Sequence, residues 1–308
     1  MAVRRWKKLA ALAKLETVYG TDAAPTGAAN FIQLSDVTFT PLAGDEEQRN
    51  LLQPHLGHQG VYLTGDYGQF QFSVEIAGSG VAGTAPAVGP LLRACGFAET
   101  ITAVTSVEYT PVDEANDAVS MYIVPDGVRH VFLGTRGDIS LAITPKRIPR
   151  FTFTMKGLLG EISDQPNPAV TKTMWKDAVV ANKANTTMSL HGWTAIAESL
   201  NIALGNQVDP RHLIGEESIE ITDRQATGTA VVKATSLATI DWFGIARAHT
   251  KGALSLTHGT VAGNIFGLTA DAVQIGRPTM GQTNNISNYS LPLMLTSLGA
   301  NELTMSFT

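Results

Sequence analysis

The chain has 308 residues, a formal net charge of −5 and one cysteine. Hydrophobic residues make up 44 %, enough to bury a sizeable core, and charged residues only 16 %, below the roughly one quarter usual in soluble domains. A single cysteine excludes a disulfide within the chain. Tight binding to nucleic acid needs a surplus of Lys and Arg, which this chain lacks. No apolar run approaches the ~18 residues of a membrane-spanning helix, so we expect no membrane insertion.

Residues 3–19 are predicted to form a short helix, because apolar residues recur there at helical spacing with basic residues between them. These apolar residues are Trp6, Leu9, Leu12 and Ala13. The apolar stretch stops at Lys14 and is too short for an export signal, so we expect the protein to fold in a bacterial or host cytoplasm. Residues 20–30 are rich in Pro, Gly and small residues, which indicates an extended arm or a frayed terminus.

From Phe31 the apolar period changes to two, which is typical of half-buried strands. In the first half, alternation predicts strands at 37–40, 70–76, 101–110, 120–125, 128–134, 139–144 and 151–156. A short helix is predicted by four residues on one helical face, namely Val88, Leu91, Leu92 and Cys95. The segment 43–66 has no strong alternation and is predicted to be a long loop that reaches a neighbouring copy.

Residues 162–185 contain Pro166 and Pro168 and are predicted to be a linker. After them the order of elements restarts, with predicted strands at 200–204, 219–221, 230–232, 253–258, 264–270, 271–276, 291–295 and 303–307. A polar, turn-prone stretch at 205–215 and a helix at 237–249 take the places of the loop and helix of the first half. This order and the likeness of 151–160 to 291–300 indicate a duplication, although a shared β architecture alone gives a similar order.

The chain offers few candidates for chemistry. Residues 78–83 form a G-x-G-x-x-G between a strand and a helix, where a dinucleotide-binding loop lies. Polar residues alternate along the preceding strand, unlike a strand buried on both faces, so we interpret 78–83 as a flexible loop. Cys95 shares an apolar helical face and is assigned to the core. His55 and His58 lie in a loop with no third ligand nearby, so we predict no catalytic residue, no cofactor and no metal site.

The stretch KLETVYGTD at 14–22, followed by AAPTGAAN at 23–30, resembles the start of tail tube (major tail) proteins of siphophages, the phages with long non-contractile tails. The stretches SDVTFTPLAGDEEQRN, APAVGPLLRACGF and SLPLMLTSLGANELTMSF, at 35–50, 85–97 and 290–307, are also similar to that family. The resemblance implies a mainly β fold, a β-sandwich or half-barrel with one flanking helix, whose sheets join between subunits. With the duplication, the predicted organisation is an N-terminal helix and arm at 1–30, tail-tube-like domains at 31–161 and 186–308, and a linker at 162–185.

The resemblance implies a structural protein of the virion and not an enzyme. Its copies assemble into rings that stack into the tail tube, through which DNA is ejected without specific binding. Most members carry one domain per chain and form hexameric rings, so two domains per chain favour a trimer with pseudo-sixfold symmetry. The expected partners are further copies of the chain and the tape measure, terminator and distal tail proteins. The expected locations are the phage tail and, during assembly, the host cytoplasm.

Two polar segments are predicted to contact other subunits. The predicted contact residues are Arg4, Arg5, Trp6, Lys7, Lys8, Asp45, Glu46, Glu47 and Arg49. Acidic residues are expected to line the bore of the tube, where DNA must not adhere. The alternative functions are a head decoration or head–tail joining protein, a nucleotide-dependent oxidoreductase that uses the 78–83 loop, and a carbohydrate-binding module, which the aromatic content of 7 % disfavours.

Overall fold

The computed structural model describes residues 3–114, 116–297, 299 and 301–308. Within these residues the regular structure is almost entirely antiparallel β-strand, with two helices of six residues each. This confirms the prediction of a mainly β fold. None of the described helices is long and apolar enough to cross a membrane.

The strands of the first half are β1 (Leu9–Leu15), β2 (Phe31–Ile32), β3 (Ser35–Gln48), β4 (Val61–Glu75), β5 (Phe97–Thr102), β6 (Ser106–Pro111), β7 (Val119–Pro125), β8 (Val128–Ile143) and β9 (Arg150–Asp164). The strands of the second half are β10 (Thr186–Leu190), β11 (Trp193–Thr194), β12 (Ala197–Ala203), β13 (Asn206–Leu213), β14 (Glu216–Arg224), β15 (Thr227–Lys233), β16 (Lys251–His258), β17 (Phe266–Ile275), β18 (Thr279–Thr283), β19 (Ile286–Leu295) and β20 (Thr304–Phe307). The helices are α1 (Gly89–Ala94) and α2 (Trp242–Arg247).

In the first half the strands pair in the spatial order β3-β4-β9-β8-β7-β1-β2. Alternation along β4 and β9 points one aromatic set into the core, where Phe70, Phe72, Phe151 and Phe153 are all buried. Phe72 lies opposite Phe153 in the register, and their ring centroids are 5.5 Å apart. This face of the sheet therefore forms the core.

The second half repeats the same pairing order, β12-β15-β19-β17-β16-β10-β11. Six strands of the first half thus have counterparts: β3, β4, β9, β8, β7 and β1 correspond to β12, β15, β19, β17, β16 and β10. Buried Leu291 and Leu293 of β19 take the places of the phenylalanines of β9. The hairpin β5–β6 is particular to the first half, and β20 joins it to β17.

The two helices occupy the same point in this order, α1 after β4 and α2 after β15. Their C-cap residues are Cys95 and Ala248, and each is followed by a residue in the left-handed region, with φ of 82° at Gly96 and 54° at His249. A left-handed residue after the C-cap is a common way for a helix to end and the chain to change direction. The two halves thus share the length and the ending of their helices as well as the pairing order of their strands.

The predicted helix at 3–19 is wrong, because residues 9–15 form β1 between β7 and β2. Ala11 and Ala13 pack into the main core, while Leu12 packs on the other face against Tyr122 and Val131. A strand buried on both faces is a continuous apolar run, which periodicity cannot distinguish from a helix. Residues 20–30 contain neither helix nor strand, as predicted for an arm.

The predicted loop at 43–66 is wrong over half of its length, and the predicted turn-prone stretch at 205–215 is wrong over most of its length. The pairing of β3 with β4 extends to Gln48 and Val61, so that only 49–60 remain as a loop. The second polar stretch forms the hairpin β13–β14, whose turn is Ile214–Gly215. Both hairpins are exposed over much of their surface and therefore lack the alternation of a half-buried strand.

Other strands differ in extent from the prediction. The two strands predicted at 128–134 and 139–144 are one strand, β8, and the strand predicted at 101–110 is the hairpin β5–β6. The helices predicted from Val88 and within 237–249 are confirmed as α1 and α2. Residues 165–185 contain no strand or helix, but Trp175 Nε1 donates to the Phe31 carbonyl at 2.8 Å. The predicted domain boundaries remain a prediction.

Candidate assembly interface

The two halves are joined by direct strand pairing. The last residues of β8 pair antiparallel with β12, with Ile143 opposite Leu200 and Leu141 opposite Ile202. All four of these side chains are buried. The sheet of the first half therefore continues into the sheet of the second half, and this pairing is called the internal joint below.

The hairpin β13–β14 continues directly from β12 and lies over the first half. Lys156 Nζ of β9 donates to the Val208 carbonyl at 2.6 Å. Arg136 of β8 donates to the Ile219 carbonyl at 2.8 Å and to Glu220 Oε2 at 2.6 Å. The Arg136 side chain is only 11 % exposed, so its ion pair is screened little by solvent. These contacts hold the hairpin against β8 and β9.

The same hairpin also covers the end of α1. Asn206 Nδ2 donates to the Cys95 carbonyl at 2.7 Å and to the Gly137 carbonyl at 3.0 Å, so one amide bridges the helix end and β8. A carbonyl in the last turn of a helix has no partner within the helix. Asn206 supplies that partner from the other half.

Residues 14–22 hold the N-terminal segment to both halves. Glu16 Oε1 accepts from the Gly134 N–H at 2.8 Å, and the Tyr19 hydroxyl accepts from the Ile219 N–H at 2.6 Å. The Arg136 guanidinium stacks 4.8 Å from the centre of the Tyr19 ring. Burial raises the pKa of Tyr19, so its hydroxyl keeps its proton. This stretch therefore has a structural role at the contact between the halves.

Several strands in the described part of the chain pair with one neighbour alone, and two of them, β3 and β18, are related to the internal joint. There β3 pairs with β4 alone, and β18 pairs with β19 alone. All five residues of β18 are exposed, including Met280 at 69 %. Open edges offer unpaired N–H and C=O groups to another strand.

These two open edges correspond to the two strands of the internal joint. The counterpart of β3 is β12. The counterpart of the last part of β8 is β18. In the first half β9 pairs along almost the whole of β8. In the second half β19 pairs first with β17, with Ile275 opposite Leu293, and then with β18, with Thr279 opposite Ser290, so β17 and β18 together correspond to β8. The chain therefore contains one completed joint and carries both strands of a second one, β3 and β18, whose outer edges have no partner within the described residues.

The predicted basic contact residues lie together in the segment before β1. The Arg5 N–H donates to Asp126 Oδ2 at 2.7 Å, in the turn between β7 and β8, and Arg4 Nη2 lies 3.4 Å from Asp164 Oδ1. Trp6 is 55 % exposed, and Lys7 and Lys8 are exposed beside it. Burial, together with the charge of Arg4, lowers the pKa of the nearby residue His130.

The predicted acidic contact residues lie on the outer part of the hairpin β3–β4. Asp45, Glu46 and Glu47 are exposed residues of β3, and Arg49 follows it with its guanidinium 5.7 Å from the Tyr62 ring centre. No hydrogen bond or ion pair joins them to the basic N-terminal segment within the described residues. Sequence reasoning missed three exposed leucines of the hairpin tip, which could have been found as apolar residues in a polar segment: Leu51, Leu52 and Leu56.

An open cavity of about 600 Å³ lies beside α2. Phe243 and Arg247 of α2 line it on one side, with His249 after the helix. The corner between β17 and β18, including Arg277, and Met294 of β19 line the other side. Both arginines are exposed and make no ion pair with the described residues.

The glycines of the loop 78–83 are explained by close packing of the chain. A Cβ on Gly78 would lie 2.1 Å from the Gly263 carbonyl oxygen, and a Cβ on Gly83 would lie 2.2 Å from the Val104 nitrogen. The Gly80 N–H donates to the same Gly263 carbonyl at 2.8 Å. The loop thus packs on a turn of the second half, and its backbone does not form an open cradle for a phosphate.

The remaining candidates for chemistry are accounted for by packing or exposure. Cys95 is fully buried, as predicted, and burial, reinforced by the charge of Asp138, raises the pKa of its thiol well above the usual range. His55 and His58 are exposed in the loop between β3 and β4. Among the residues that the structure describes, no three His, Cys, Asp or Glu side chains are grouped to hold a metal ion.

The comparison with known families agrees with this picture of a chain built from strand pairing. A family model described as phage tail tube protein matches residues 6–294, which is nearly the whole chain. No curated protein matches the chain. The chain therefore belongs to the phage tail tube protein family, whose members are structural proteins of the bacteriophage tail.

Proposed function

We propose that three copies of this chain close into a ring in which β18 of each copy pairs antiparallel with β3 of the next. Each new joint repeats the internal joint between β8 and β12. Six related halves then surround a common axis, in a trimer with pseudo-sixfold symmetry. The rings stack into the tail tube, the conduit for DNA ejection.

The observation that supports this proposal most directly is the match between the internal joint and the two open edges. A contact between two different edges is head to tail, and such contacts form a closed ring when the rotation between copies divides a full turn. Ring closure also removes both open edges, which otherwise invite uncontrolled aggregation. The resemblance implies rings of six single-domain subunits. If every joint has the geometry of the internal one, a ring of six halves requires three chains.

The low content of basic residues suits a conduit for DNA. A chain with a net charge of −5 makes few phosphate contacts, so DNA slides through without specific binding. We propose that acidic residues line the bore, and a lumen lined mainly by Lys and Arg would contradict this. In this proposal the phage is a siphophage, and the tube meets the tape measure, terminator and distal tail proteins after assembly in the host cytoplasm.

The basic N-terminal segment is proposed to contact the adjacent ring. Arg4, Arg5, Trp6, Lys7 and Lys8 lie on the surface at the turn between β7 and β8, and the exposed Trp6 offers an apolar contact. Deletion of residues 2–8 removes this segment and leaves β1 intact. We expect shorter or less stable tubes by electron microscopy, with rings still formed; tubes of unchanged length and stability would contradict this contact.

Negative-stain electron microscopy of the purified protein across a concentration series tests the function. We expect open-ended tubes of stacked rings with three- or sixfold end views, and a ring mass of three times the chain mass of 32.7 kDa. Closed shells or isolated rings would favour a head decoration or head–tail joining protein. A monomer at every concentration would contradict the proposed assembly.

A further inference from the structure

The internal joint includes more than strand pairing, because the hairpin β13–β14 goes on from β12 to cover the end of α1. Its contacts are the bridge from Asn206 to the Cys95 carbonyl and the ion pair of Glu220 with Arg136. Ile221 of the same hairpin lies against Gly96, the left-handed residue that ends α1. One hairpin thus covers a helix end and the strand beside it.

The equivalent surface of the second half is uncovered. There the cavity of about 600 Å³ lies beside the end of α2, and His249 takes the place of Gly96. The corner at 274–278, which lines the cavity, takes the place of the part of β8 that β13–β14 covers. The second half therefore has a surface equivalent to the one that β13–β14 covers in the first half, and no hairpin of the described chain covers it.

The counterpart of β13–β14 is the outer part of the hairpin β3–β4. It continues from β3 as β13–β14 continues from β12, over 41–48 and 61–67. Its charge is complementary to the cavity, since Asp45, Glu46 and Glu47 are acidic whereas Arg247 and Arg277 are basic. Opposite charges at close range favour one docking orientation over others.

The chain's own hairpin is held elsewhere. In the described structure it lies beside β13 of the same chain, where a Cβ on Gly65 would lie 3.2 Å from His212 Cδ2. The basic N-terminal segment, which carries the exposed Trp6, has the same sign of charge as the cavity. The occupant that fits is therefore the hairpin of a second copy.

We propose that the outer part of the β3–β4 hairpin of one copy docks in the cavity beside α2 of the neighbouring copy, with Glu46 and Glu47 facing Arg247 and Arg277. This inference rests on the proposed ring, and it assigns a second contact to each joint between copies. In this arrangement the acidic hairpin covers the end of α2 of the neighbouring copy, as β13–β14 covers the end of α1 within one chain.

Charge reversal with rescue tests the docking. The variants are Glu46→Lys with Glu47→Lys, Arg247→Glu with Arg277→Glu, and all four changes together. Each pair should raise the concentration needed for assembly by about tenfold or more, and the combined variant should recover most of this loss. The control is Asp177→Lys with Glu216→Lys, two exposed carboxylates whose side chains make no hydrogen bond or ion pair within the described residues, and this variant should assemble like the wild type. Assembly is measured by light scattering after size exclusion and by electron microscopy.

The rescue separates docking from a folding defect. Because Arg247 lies in the last turn of α2, where a negative charge is unfavourable, Arg277→Glu alone is measured as well. Wild-type assembly of the Glu46→Lys and Glu47→Lys variant, or failure of the combined variant to recover, would overturn the docking while the ring stands. A wild-type chain that never forms rings would overturn the ring, and the docking with it.

Discussion

Tyr19 shows how one side chain stabilises the contact between the halves. Its hydroxyl accepts a hydrogen bond of 2.6 Å from the N–H of Ile219, which is fully buried in β14. Tyr19→Phe leaves this donor unsatisfied, which costs about 1–3 kcal/mol. We expect the free energy of unfolding in urea to fall by that amount. Tyr289→Phe is the control, because its hydroxyl makes no hydrogen bond within the described residues, and an equal loss in both variants would contradict the role of Tyr19.

Buried histidines make the stability of the chain depend on pH. His258 is 3 % exposed, with Nδ1 2.8 Å from Thr186 Oγ1 and Nε2 3.0 Å from the Val179 carbonyl. A carbonyl only accepts, so Nε2 carries the proton that it donates to Val179. Burial lowers the pKa of His258 below its ordinary value of 6.5, and that of His191 likewise.

The sign of this pH dependence follows from proton binding. Below pH 6.5 the unfolded chain binds protons that the folded chain does not, so the free energy of unfolding falls as the pH drops from 7.5 toward the folded pKa. Above about pH 7.5 these histidines are neutral in both states, and the full stability is present. We expect urea titrations of His258→Gln to show a shallower loss between pH 7 and 5, and His55→Gln, in an exposed loop, to follow the wild type. Parallel curves for all three proteins would refute this assignment.

At the scale of elements, the outward edge of β18 can be tested with proline, which removes one N–H donor. The N–H groups of neighbouring strand residues point to opposite edges, so Thr279→Pro and Met280→Pro remove donors from different sides of β18. The variant that loses the outward donor should keep the wild-type Tm and fail to form rings. The other variant should lose a bond to β19 and unfold at lower temperature. Normal rings from the variant that keeps its Tm would contradict the β18–β3 joint.

The sequence predicts elements well where one face is buried and poorly elsewhere. Alternation at Phe70, Phe72 and Val74 predicts β4, and the apolar face of Leu91 and Leu92 predicts α1. β1 is buried on both faces and the outer hairpins are exposed on both, so neither has the period of a half-buried strand. The charged contact residues could be chosen from the sequence by their charge. The cavity beside α2 could not be predicted, because it depends on which distant strands pair, and local sequence periodicity does not contain that information.

At the scale of the whole molecule, the halves share one order of strand pairing and are closely joined. One hydrophobic core contains residues of both, and β6 pairs with β20 as β8 pairs with β12. A single-domain subunit would have to form all six joints of a ring by association. In the proposed trimer three of the six joints are within chains, so the loss of translational and rotational freedom at those joints is avoided.

The close joining of the halves predicts that cutting the connection between them leaves the molecule whole. A protease site inserted between Lys176 and Asp177, both exposed in the segment 165–185, lets the chain be cut after folding. The paired strands and the shared core should hold the fragments together, so the cut protein should keep the native mass of the uncut chain and unfold in one transition. A denaturing gel shows that cutting is complete, and the uncut insertion variant is the control.

Separation of the fragments under native conditions, or two unfolding transitions, would mean that each half is stable alone and that the internal joint is weak. In that case the joints between copies, which are proposed to repeat it, could not close a stable ring by strand pairing without the hairpin contact.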